Sequence, residues 1–450
     1  MGKNEEAIYD AKKLGGGKMV VLGLQHMFAM FGATVLVPIL TGLSVSTTLL
    51  FAGLATLFMH LVTGWKVPVF LGSSFAFLGG YFAVKEMAVK AGMTAEQGLP
   101  YAGVGIACAG LLYLILALIC KAVGPSKVMR FFPPIVTGPI IICVGLHLAP
   151  SAINNCNENW WIALVAIVVV IVCNIWGKGM IKIIPILLGV VASYAVAAVT
   201  GNVDFSKVHD AAWLGLPIVK ENTVFALFGN ADGGLIVSAI ITIVPLAVAT
   251  MMEHVGDISA IGGTVGKDFI ADPGLHRTLI GDGVGTAIAA LFGAPANTTY
   301  GENTGVLALT KVFDPLVIRL AAIFAVVLSF CPKFAAVITA MPAATIGGVS
   351  IILYGMIAAI GVRNVVENQV DFQKSRNVII AALILCLCIG IEYSKKGSIG
   401  PFTIGSVNIS LSGLAVASIV GLVLNAVLPG KDTTFAEKPN DQLSGSLGKY

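Results

Sequence analysis

Three carboxylic acids stand inside long apolar stretches of the sequence. Glu253 and Asp257 lie four residues apart in VPLAVATMMEHVGDISAIG, so they share one face of a helix. Glu302 lies in NTTYGENTG, a run too polar for a helix that faces lipid. A charged side chain at the bilayer centre costs about 2.5–3.5 kcal/mol on insertion scales. Glu253 and Glu302 therefore indicate a polar site within the membrane, whereas Asp257 fits either that site or the entrance to an inner loop.

Two further segments are interrupted by small and polar residues, GSSFAFLGG and GAPANTTYGENTG. Lipid cannot satisfy the backbone N–H and C=O groups of such breaks, so the breaks indicate the lining of a polar cavity. Ser74 and Phe75 in the first break, and Tyr300 and Gly301 in the second, offer hydroxyl groups, aromatic faces and backbone donors. With two glutamates as acceptors, this set suits a small flat solute that carries N–H donors and C=O acceptors. An inorganic anion is disfavoured, because we expect no Lys or Arg at this depth.

The elements that position these residues are membrane-spanning helices. Of the 450 residues, 57% are hydrophobic and only 11% are charged, whereas soluble domains average about 25% charged residues. This composition excludes a water-soluble enzyme, and a net charge of +4 does not supply the dense basic face of a nucleic-acid-binding protein. Long unbroken runs such as WWIALVAIVVVIVCNIW predict helices rather than the alternating strands of an outer-membrane barrel.

The sequence shows no group of residues with the spacing typical of an enzyme's catalytic site or of a metal site. The eight cysteines show neither a disulfide framework nor a zinc spacing. Asp268 and Asp272 are four residues apart, but a prenyl-transfer enzyme would need a second acidic cluster to hold magnesium. No nucleophile with a neighbouring base stands out. We therefore expect no catalytic residues, no metal and no cofactor, and we expect that the protein is not an enzyme.

Apolar runs between polar or Pro/Gly breaks predict fourteen spans. They lie near residues 19–42, 46–64, 68–84, 100–121, 131–150, 159–177, 181–200, 233–257, 276–292, 298–312, 314–332, 341–361, 376–393 and 408–429. An even count places both termini on one side of the membrane. With that side as the cytoplasm, 20 of the 27 Lys and Arg residues fall in the tails and inner loops, and 7 fall in the outer loops. This bias favours cytoplasmic termini.

The two halves of the chain resemble each other. FPPIVTGPIIICVGL and MPAATIGGVSIILYG align Pro133 with Pro342 and Gly138 with Gly347, an offset of 209 residues. The two broken segments lie 226 residues apart, close to half the chain. Seven spans is an odd number, so a second copy of seven would enter the membrane upside down. The pattern predicts two inverted repeats with the substrate site at the paired breaks, although Pro and Gly could also recur by chance in a Gly-rich chain.

The chain resembles the nucleobase–ascorbate transporter family, and within it the bacterial members that transport uracil. The matching stretches are QHMFAMFGATVLVP, LGSSFAF, EHVGD, DPGLHR and NTTYGENTGV, and the likeness extends from about residue 18 to 428. The resemblance implies an all-α polytopic membrane protein of fourteen spans, with a short strand at the start of spans 3 and 10.

The resemblance also implies two domains, each formed from both halves of the chain. A core domain would comprise residues 18–130 (spans 1–4) and 233–332 (spans 8–11). A gate domain would comprise residues 131–232 (spans 5–7) and 333–429 (spans 12–14). Cytoplasmic tails over 1–17 and 430–450 complete the expected organisation.

The site residues implied by the resemblance extend the set found from the sequence. Glu253 and Glu302 would bind the N–H groups of the nucleobase, and the backbone amides of Phe75 and Gly301 would donate to its carbonyl groups. Residues that would shape the pocket are Ala33, Tyr300 and Tyr354, beside Ser74. For the coupled proton, Glu253 is the first candidate, with Asp257 or His26 as relay. A lone membrane histidine such as His26 is also often a simple helix–helix hydrogen bond.

The expected activity is import of uracil with protons across the bacterial cytoplasmic membrane, by alternating access of core against gate. The carboxylate Glu302 favours a pyrimidine, since purine-using members usually carry Gln there. Asp257, which replaces a His in the uracil pattern, is shared with many purine members. A purine permease for xanthine or uric acid, or an uncoupled facilitator, therefore stays open, as does thymine in place of uracil. The expected partners are uracil, protons, membrane lipid and a second copy bound through the gate domain, without nucleic acid.

Overall fold

The apolar runs form helices throughout the part of the chain that the structure describes. The structure is a computed structural model, and it describes residues 7–229, 231–395, 397–404 and 407–430. Residues 1–6 and 431–450, which belong to the predicted cytoplasmic tails, lie outside the described residues. Within the described ranges, seventeen α-helices have eight residues or more, and four strands form two separate antiparallel pairs.

The first half of the chain holds helices α1 to α8. They are α1 (Gly16–Thr41), α2 (Val45–Val62), α3 (Leu78–Lys90), α4 (Leu99–Val123), α5 (Pro134–Leu146), α6 (Ala149–Cys156), α7 (Trp160–Ile175) and α8 (Pro185–Val199). Shorter helices cover Pro125–Met129, Met180–Ile183 and Ser206–Asp210, and 3-10 turns include Ala11–Leu14 and Phe75–Phe77.

The second half holds helices α9 to α17 and three of the strands. The helices are α9 (Gly233–Ile243), α10 (Ala247–Val265), α11 (Leu275–Leu291), α12 (Gly301–Thr310), α13 (Pro315–Ser329), α14 (Pro332–Thr339), α15 (Ala343–Glu367), α16 (Ser375–Glu392) and α17 (Gly413–Val427). The strands of the whole chain are β1 (Leu71–Ser73), β2 (Asn297–Thr299), β3 (Ile399–Ile404) and β4 (Val407–Leu411).

Many of these helices are long and apolar enough to cross a membrane. Among the described residues, seven stretches meet that condition: Gly16–Thr41, Val45–Val62, Glu96–Val123, Pro134–Cys156, Gly233–Val265, Ala343–Glu367 and Ser375–Glu392. Helices α13 and α14 form a further stretch that bends by 90°, and α7, α8 and α17 are shorter apolar helices. Along α7, Leu164, Val168, Val172 and Ile175 are exposed on one helical face, as in a helix that faces lipid. The chain is therefore a mostly helical, multi-pass membrane protein.

The two broken segments meet in the interior of the helix assembly. Strands β1 and β2 pair antiparallel, with Gly72 opposite Thr298. The pairing continues at both ends, because Ser74 N donates to Ala296 O at 2.8 Å and Tyr300 N donates to Phe70 O at 3.0 Å. A Cβ atom at residue 72 would overlap the Tyr300 ring, so the close contact between the residue 72 backbone and this ring requires glycine. The short strands predicted at these two positions are present, and they satisfy backbone groups that lipid could not.

Helices α5 and α15, which carry the aligned PP and MP motifs, pack directly against each other. Each helix begins after a proline in extended conformation, Pro133 for α5 and Pro342 for α15. The helices approach closely because Gly138 and Gly361 face one another: a Cβ atom on Gly361 would lie 2.7 Å from Gly138 O. The two aligned prolines therefore each precede a helix, and these two helices contact each other.

The last predicted span needs a correction. The span predicted near 408–429 begins as strand β4, which pairs antiparallel with β3, and helix α17 begins only at Gly413. The sequence VNISL alternates apolar and polar residues, a period of two that is typical of a strand and that average hydropathy does not detect. Ser412 then starts the helix, since its side chain accepts a hydrogen bond from Ala415 N.

Candidate functional site

The paired strands place two helix starts side by side. The 3-10 turn that leads into α3 begins at Phe75, two residues after β1, and α12 begins at Gly301, two residues after β2. The first backbone N–H groups of a helix have no partner within that helix, and they carry the positive end of its dipole. Because β1 and β2 run antiparallel, the two sets of donors come from opposite directions to one region of the protein. Phe75 and Gly301 are the two residues predicted to supply backbone donors.

The Tyr300 side chain connects the two broken segments to helix α1 by hydrogen bonds. Its hydroxyl donates to Ser73 O at 3.0 Å and accepts from Thr34 Oγ1 at 3.3 Å. Ser73 Oγ in turn donates to Thr34 O at 2.7 Å, next to the buried Ala33. The Tyr300 ring is thus held in place, and its hydroxyl is already hydrogen-bonded to Ser73 and Thr34.

The Phe75 side chain contacts helix α15 rather than α1. Its ring meets the ring of Tyr354 on α15 edge to face, with ring centroids 5.6 Å apart and an interplanar angle of 75°. Both rings are buried, and Ser74 beside them is buried with its Oγ unpaired. The structure therefore brings Phe75, Ser74, Tyr300, Ala33 and Tyr354 to the surroundings of the two helix starts.

The predicted carboxylates lie around the same region. Glu253 and Asp257 occupy consecutive turns of α10, which contacts both α12 and β2, and Glu302 is the second residue of α12. Glu253, Asp257 and Glu302 are close enough to influence one another electrostatically. Glu253 Oε2 is buried and has no hydrogen-bond partner among the residues that the structure describes. Three acids separated by up to 49 positions in the sequence therefore form one acidic cluster.

Sequence reasoning missed a fourth carboxylate, Asp282 on α11. This side chain is completely buried, and its charge acts on Glu253 and Asp257. His254 Nδ1 lies 2.9 Å from Asp282 Oδ2 and 3.1 Å from Thr299 Oγ1. The signal was available, since Asp282 is the single acidic residue in the apolar, Gly-rich run LIGDGVGTAIAAL.

The histidine of this pair links three elements behind the acidic cluster. His254 Nε2 lies 3.0 Å from Thr278 Oγ1 on α11, while Nδ1 faces both Asp282 on α11 and Thr299 on β2. His254 is fully buried and adjoins Glu253 in sequence. These contacts fix α10 relative to α11 and β2, and so they fix the place of Glu253.

His26 lies on the α1 side of α12. Asn303 Nδ2 donates to His26 O at 3.0 Å and lies 3.2 Å from His26 Nδ1. His26 Nε2 is buried and unpaired, and among the described residues His26 makes no hydrogen bond to a carboxylate. The structure therefore brings His26 next to the residue after Glu302, but it does not join His26 to Glu253 or Asp257.

Several buried polar atoms near the paired strands lack a hydrogen-bond partner. Within the described part of the chain, they include Ser74 Oγ, Asn297 Nδ2, Thr298 Oγ1, Asn303 Oδ1 and Glu253 Oε2. Buried polar groups are normally hydrogen-bonded, so a cluster of unpaired ones calls for a bound partner. The set contains both donors and acceptors, which matches the flat, bifunctional solute expected from the sequence.

Comparison with known proteins identifies the class. Residues 17–397 match the Permease family, a range that contains every site residue named above. The chain belongs to this family. It is 40% identical over 441 residues to the uracil permease of Bacillus caldolyticus, covering 95% of this chain and 97% of that one. It is 38% identical over 426 residues to the uracil permease of Bacillus subtilis (strain 168), covering 91% and 92%.

The fold of this family member is also found in a distant transporter. The transmembrane domain of a cyanobacterium bicarbonate transporter, BicA, superposes with a TM-score of 0.59 at 16% identity, and the match covers 93% of this chain and 99% of that chain. At this identity the likeness concerns the fold alone. The predicted resemblance to nucleobase transporters is confirmed by the uracil permeases, and the family indicates a transporter rather than an enzyme.

Proposed function

We propose that this chain is a secondary active transporter that imports uracil together with protons. The observation that carries the proposal is the meeting of two helix starts with the half-buried Glu253 and Glu302, which offers donors and acceptors in one region. The permeases of the two Bacillus species, at 38–40% identity over nearly the whole chain, support uracil as the solute. We place the protein in the bacterial cytoplasmic membrane, with both termini in the cytoplasm.

Uracil has two ring N–H groups and two carbonyl groups in one plane, and each finds a partner here. Glu253 and Glu302 accept the N–H groups, and the backbone amides of Phe75 and Gly301 donate to the carbonyl oxygens. Ala33, Ser74, Tyr300 and Tyr354 shape the pocket. Tyr300 acts as a wall, because its hydroxyl is held by Ser73 and Thr34.

Transport requires that the site open to each side in turn. We assign residues 18–130 and 233–332 to a core domain and residues 131–232 and 333–429 to a gate domain, in two inverted repeats of seven spans. The antiparallel pairing of β1 with β2 and the equivalent proline starts of α5 and α15 support this symmetry. The Phe75–Tyr354 contact then lies between core and gate. A homodimer would form through the gate domain.

Coupling to protons is assigned to the acidic cluster. Like charges at short range disfavour simultaneous ionisation, and burial disfavours the charged form of a carboxylate. Protonation of Glu253, with Asp257 or His26 as relay, would neutralise the core and let it move across the gate as a rigid body. His254 and Asp282 hold α10 in place during that step.

One residue favours a second candidate, a purine permease or an uncoupled nucleobase facilitator of the same fold. Asp257 stands where uracil transporters of this family carry a His, and many purine-using members share it. The carboxylate at Glu302 weighs against this alternative, since purine members usually have an amide there. An inorganic anion, despite the fold shared with BicA, is disfavoured by the four facing carboxylates.

Uptake of radiolabelled uracil into proteoliposomes tests the proposal. We expect accumulation against the uracil gradient only when an inward proton gradient is imposed, with weak competition by excess xanthine. Equal uptake with and without the gradient would indicate the uncoupled facilitator. Strong inhibition by xanthine with little uracil uptake would indicate the purine permease.

A further inference from the structure

An apolar groove lies where the chain enters helix α1, apart from the site described above. It encloses about 660 Å³ between the segment before α1, the first turns of α1 and the residues that follow α12. Its apolar lining consists of Ile8, Leu14, Val21, Leu22 and Val312. Val21 is 51% exposed, so the groove opens to the surroundings of the protein.

The edge of the groove is built by backbone pairing. Ile8 N donates to Lys311 O at 2.8 Å, and Phe313 N donates to Ile8 O at 2.8 Å. Ala11 N donates to Asp314 Oδ2 at 2.8 Å, and Tyr9 OH donates to Val265 O at 2.8 Å. The segment before α1 is therefore fixed to the ends of α10 and α12, and the groove is a formed feature.

Several lysines lie on the segments that form or adjoin this groove. They are Lys12, Lys13, Lys18, Lys267 and Lys311. Lys18 lines the groove itself, while the acids of the same segments are Asp10, Asp268 and Asp314. Asp314 already accepts two backbone N–H groups, from Ala11 and Leu316. An apolar groove with lysines near it, at the end of a membrane span, suits an anionic lipid.

We propose that this groove binds one acyl chain of an anionic phospholipid, with the headgroup phosphate at Lys18. Two of its walls belong to helices that bear on the substrate site: α1 carries His26, and α12 begins at Gly301. A lipid in the groove would hold the far ends of these two helices together. The lipid therefore acts as a structural ligand of the transporter.

Two neighbouring glycines allow a matched test of the groove. Gly17 lines the groove and Gly16 does not, although both lie in the first turn of α1. A Cβ atom on either glycine would meet no atom within 4 Å, so both positions have room at the backbone for a side chain. Gly17→Leu therefore fills the groove, and Gly16→Leu makes the same change in composition and helix propensity outside it.

The experiment is titration of the purified full chain, in detergent, with phosphatidylglycerol and with phosphatidylcholine, followed by native mass spectrometry. We expect preferential binding of phosphatidylglycerol, weakened at least about tenfold in Gly17→Leu and unchanged in Gly16→Leu. Lys18→Gln should weaken phosphatidylglycerol about fivefold, whereas Lys127→Gln, an exposed lysine elsewhere, should have no effect. Size-exclusion profiles establish that each variant is folded.

Three outcomes would overturn the lipid assignment. The first is equal phosphatidylglycerol binding by wild type and Gly17→Leu, and the second is equal affinity for the two lipids. The third is a protein dimer that depends on concentration, persists without lipid and is lost in Gly17→Leu, since a second copy of the chain would then occupy the groove.

Discussion

At the residue scale, the small size of a nucleobase makes each polar contact count. A micromolar Kd corresponds to about −8 kcal/mol. Spread over about eight heavy atoms, this is about −1 kcal/mol per atom, close to the ceiling of about −1.5 for very small ligands. Nearly every polar atom of uracil must therefore be paired in the proposed site.

Replacement of Glu302 by alanine should abolish measurable binding of uracil. The change deletes one acceptor and leaves a buried N–H group unpaired, which costs about 1–3 kcal/mol. Equilibrium binding of radiolabelled uracil to the purified variant measures the loss. Glu367→Ala, an exposed glutamate paired with Arg363, is the matched control and should bind like wild type. Near-normal binding by Glu302→Ala would move the site elsewhere.

Glu253→Gln should separate binding from coupling. Glutamine imitates the protonated carboxyl group in shape and charge, so the variant should keep uracil exchange while losing uptake driven by a proton gradient. Proteoliposomes with and without an imposed gradient distinguish the two activities. Full gradient-driven accumulation by this variant would remove Glu253 from the coupling role and leave Asp257 or His26 as the proton carrier.

Loss of Asp282 should lower stability more than loss of the exposed Asp272, which pairs with Lys66. Removing Asp282 leaves the buried His254 with one fewer hydrogen-bond partner, and an unsatisfied buried polar group costs about 1–3 kcal/mol, whereas an exposed pair is worth about 0–1 kcal/mol. We therefore expect Asp282→Ala to lower the apparent melting temperature in detergent strongly, and Asp272→Ala, whose side chain is 70% exposed, to change it little. Similar shifts for both variants would contradict the inferred role of the His254 network.

At the scale of elements, the paired strands depend on one glycine. Gly72→Ala would push its new methyl group into the Tyr300 ring and should displace β1 from β2, at a cost of about 1–3 kcal/mol. We expect uracil uptake to fall at least tenfold while the protein still reaches the membrane. Gly305→Ala is the control, because a Cβ atom there meets nothing within 4 Å. Uptake unaffected by Gly72→Ala would show that the strand pairing tolerates this shift.

The sequence predicts these elements well where the signal is local. Glycine and polar residues in LGSSFAF and NTTYGEN mark the breaks, because such residues interrupt an apolar helix in any context. Two features are harder to recognise in the sequence. Asp282 is the single acidic residue of an apolar run, but its partner is known only once α11 packs its side chain against His254. The β3–β4 hairpin was hidden because its alternation lies beside a long apolar run, and hydropathy averages the two together.

At the scale of the whole molecule, the proposed motion requires α1 in the core to slide past α8 in the gate. These helices touch at Gly32, where a Cβ atom would lie 3.6 Å from Ile186 Cβ. Disulfides favour a Cβ–Cβ separation of about 3.5–4.5 Å. The double variant Gly32→Cys, Ile186→Cys should therefore cross-link on oxidation and lose uptake, and a reductant should restore it.

A second cysteine pair within the gate controls for oxidation itself. In Gly189→Cys, Val170→Cys the corresponding distance is 3.7 Å, and both residues lie in 131–232. This cross-link should leave transport active, because the two helices move together. Full uptake by the oxidised Gly32–Ile186 pair, with the cross-link verified by mass spectrometry, would exclude sliding between these two helices.

The pairing of β1 with β2 has a consequence for biogenesis. The two strands are 226 positions apart along the chain, so the ribosome completes β1 long before β2 exists. Until then, the strand edge of the first half sits in the bilayer with open backbone groups, each of which costs several kcal/mol in hydrocarbon. In the nascent first half, water, the insertion machinery or neighbouring helices must therefore satisfy or cover the backbone groups of this edge. The proposed substrate site can therefore assemble only after β2 has been made, and a chain interrupted before residue 297 would lack the second strand of that site.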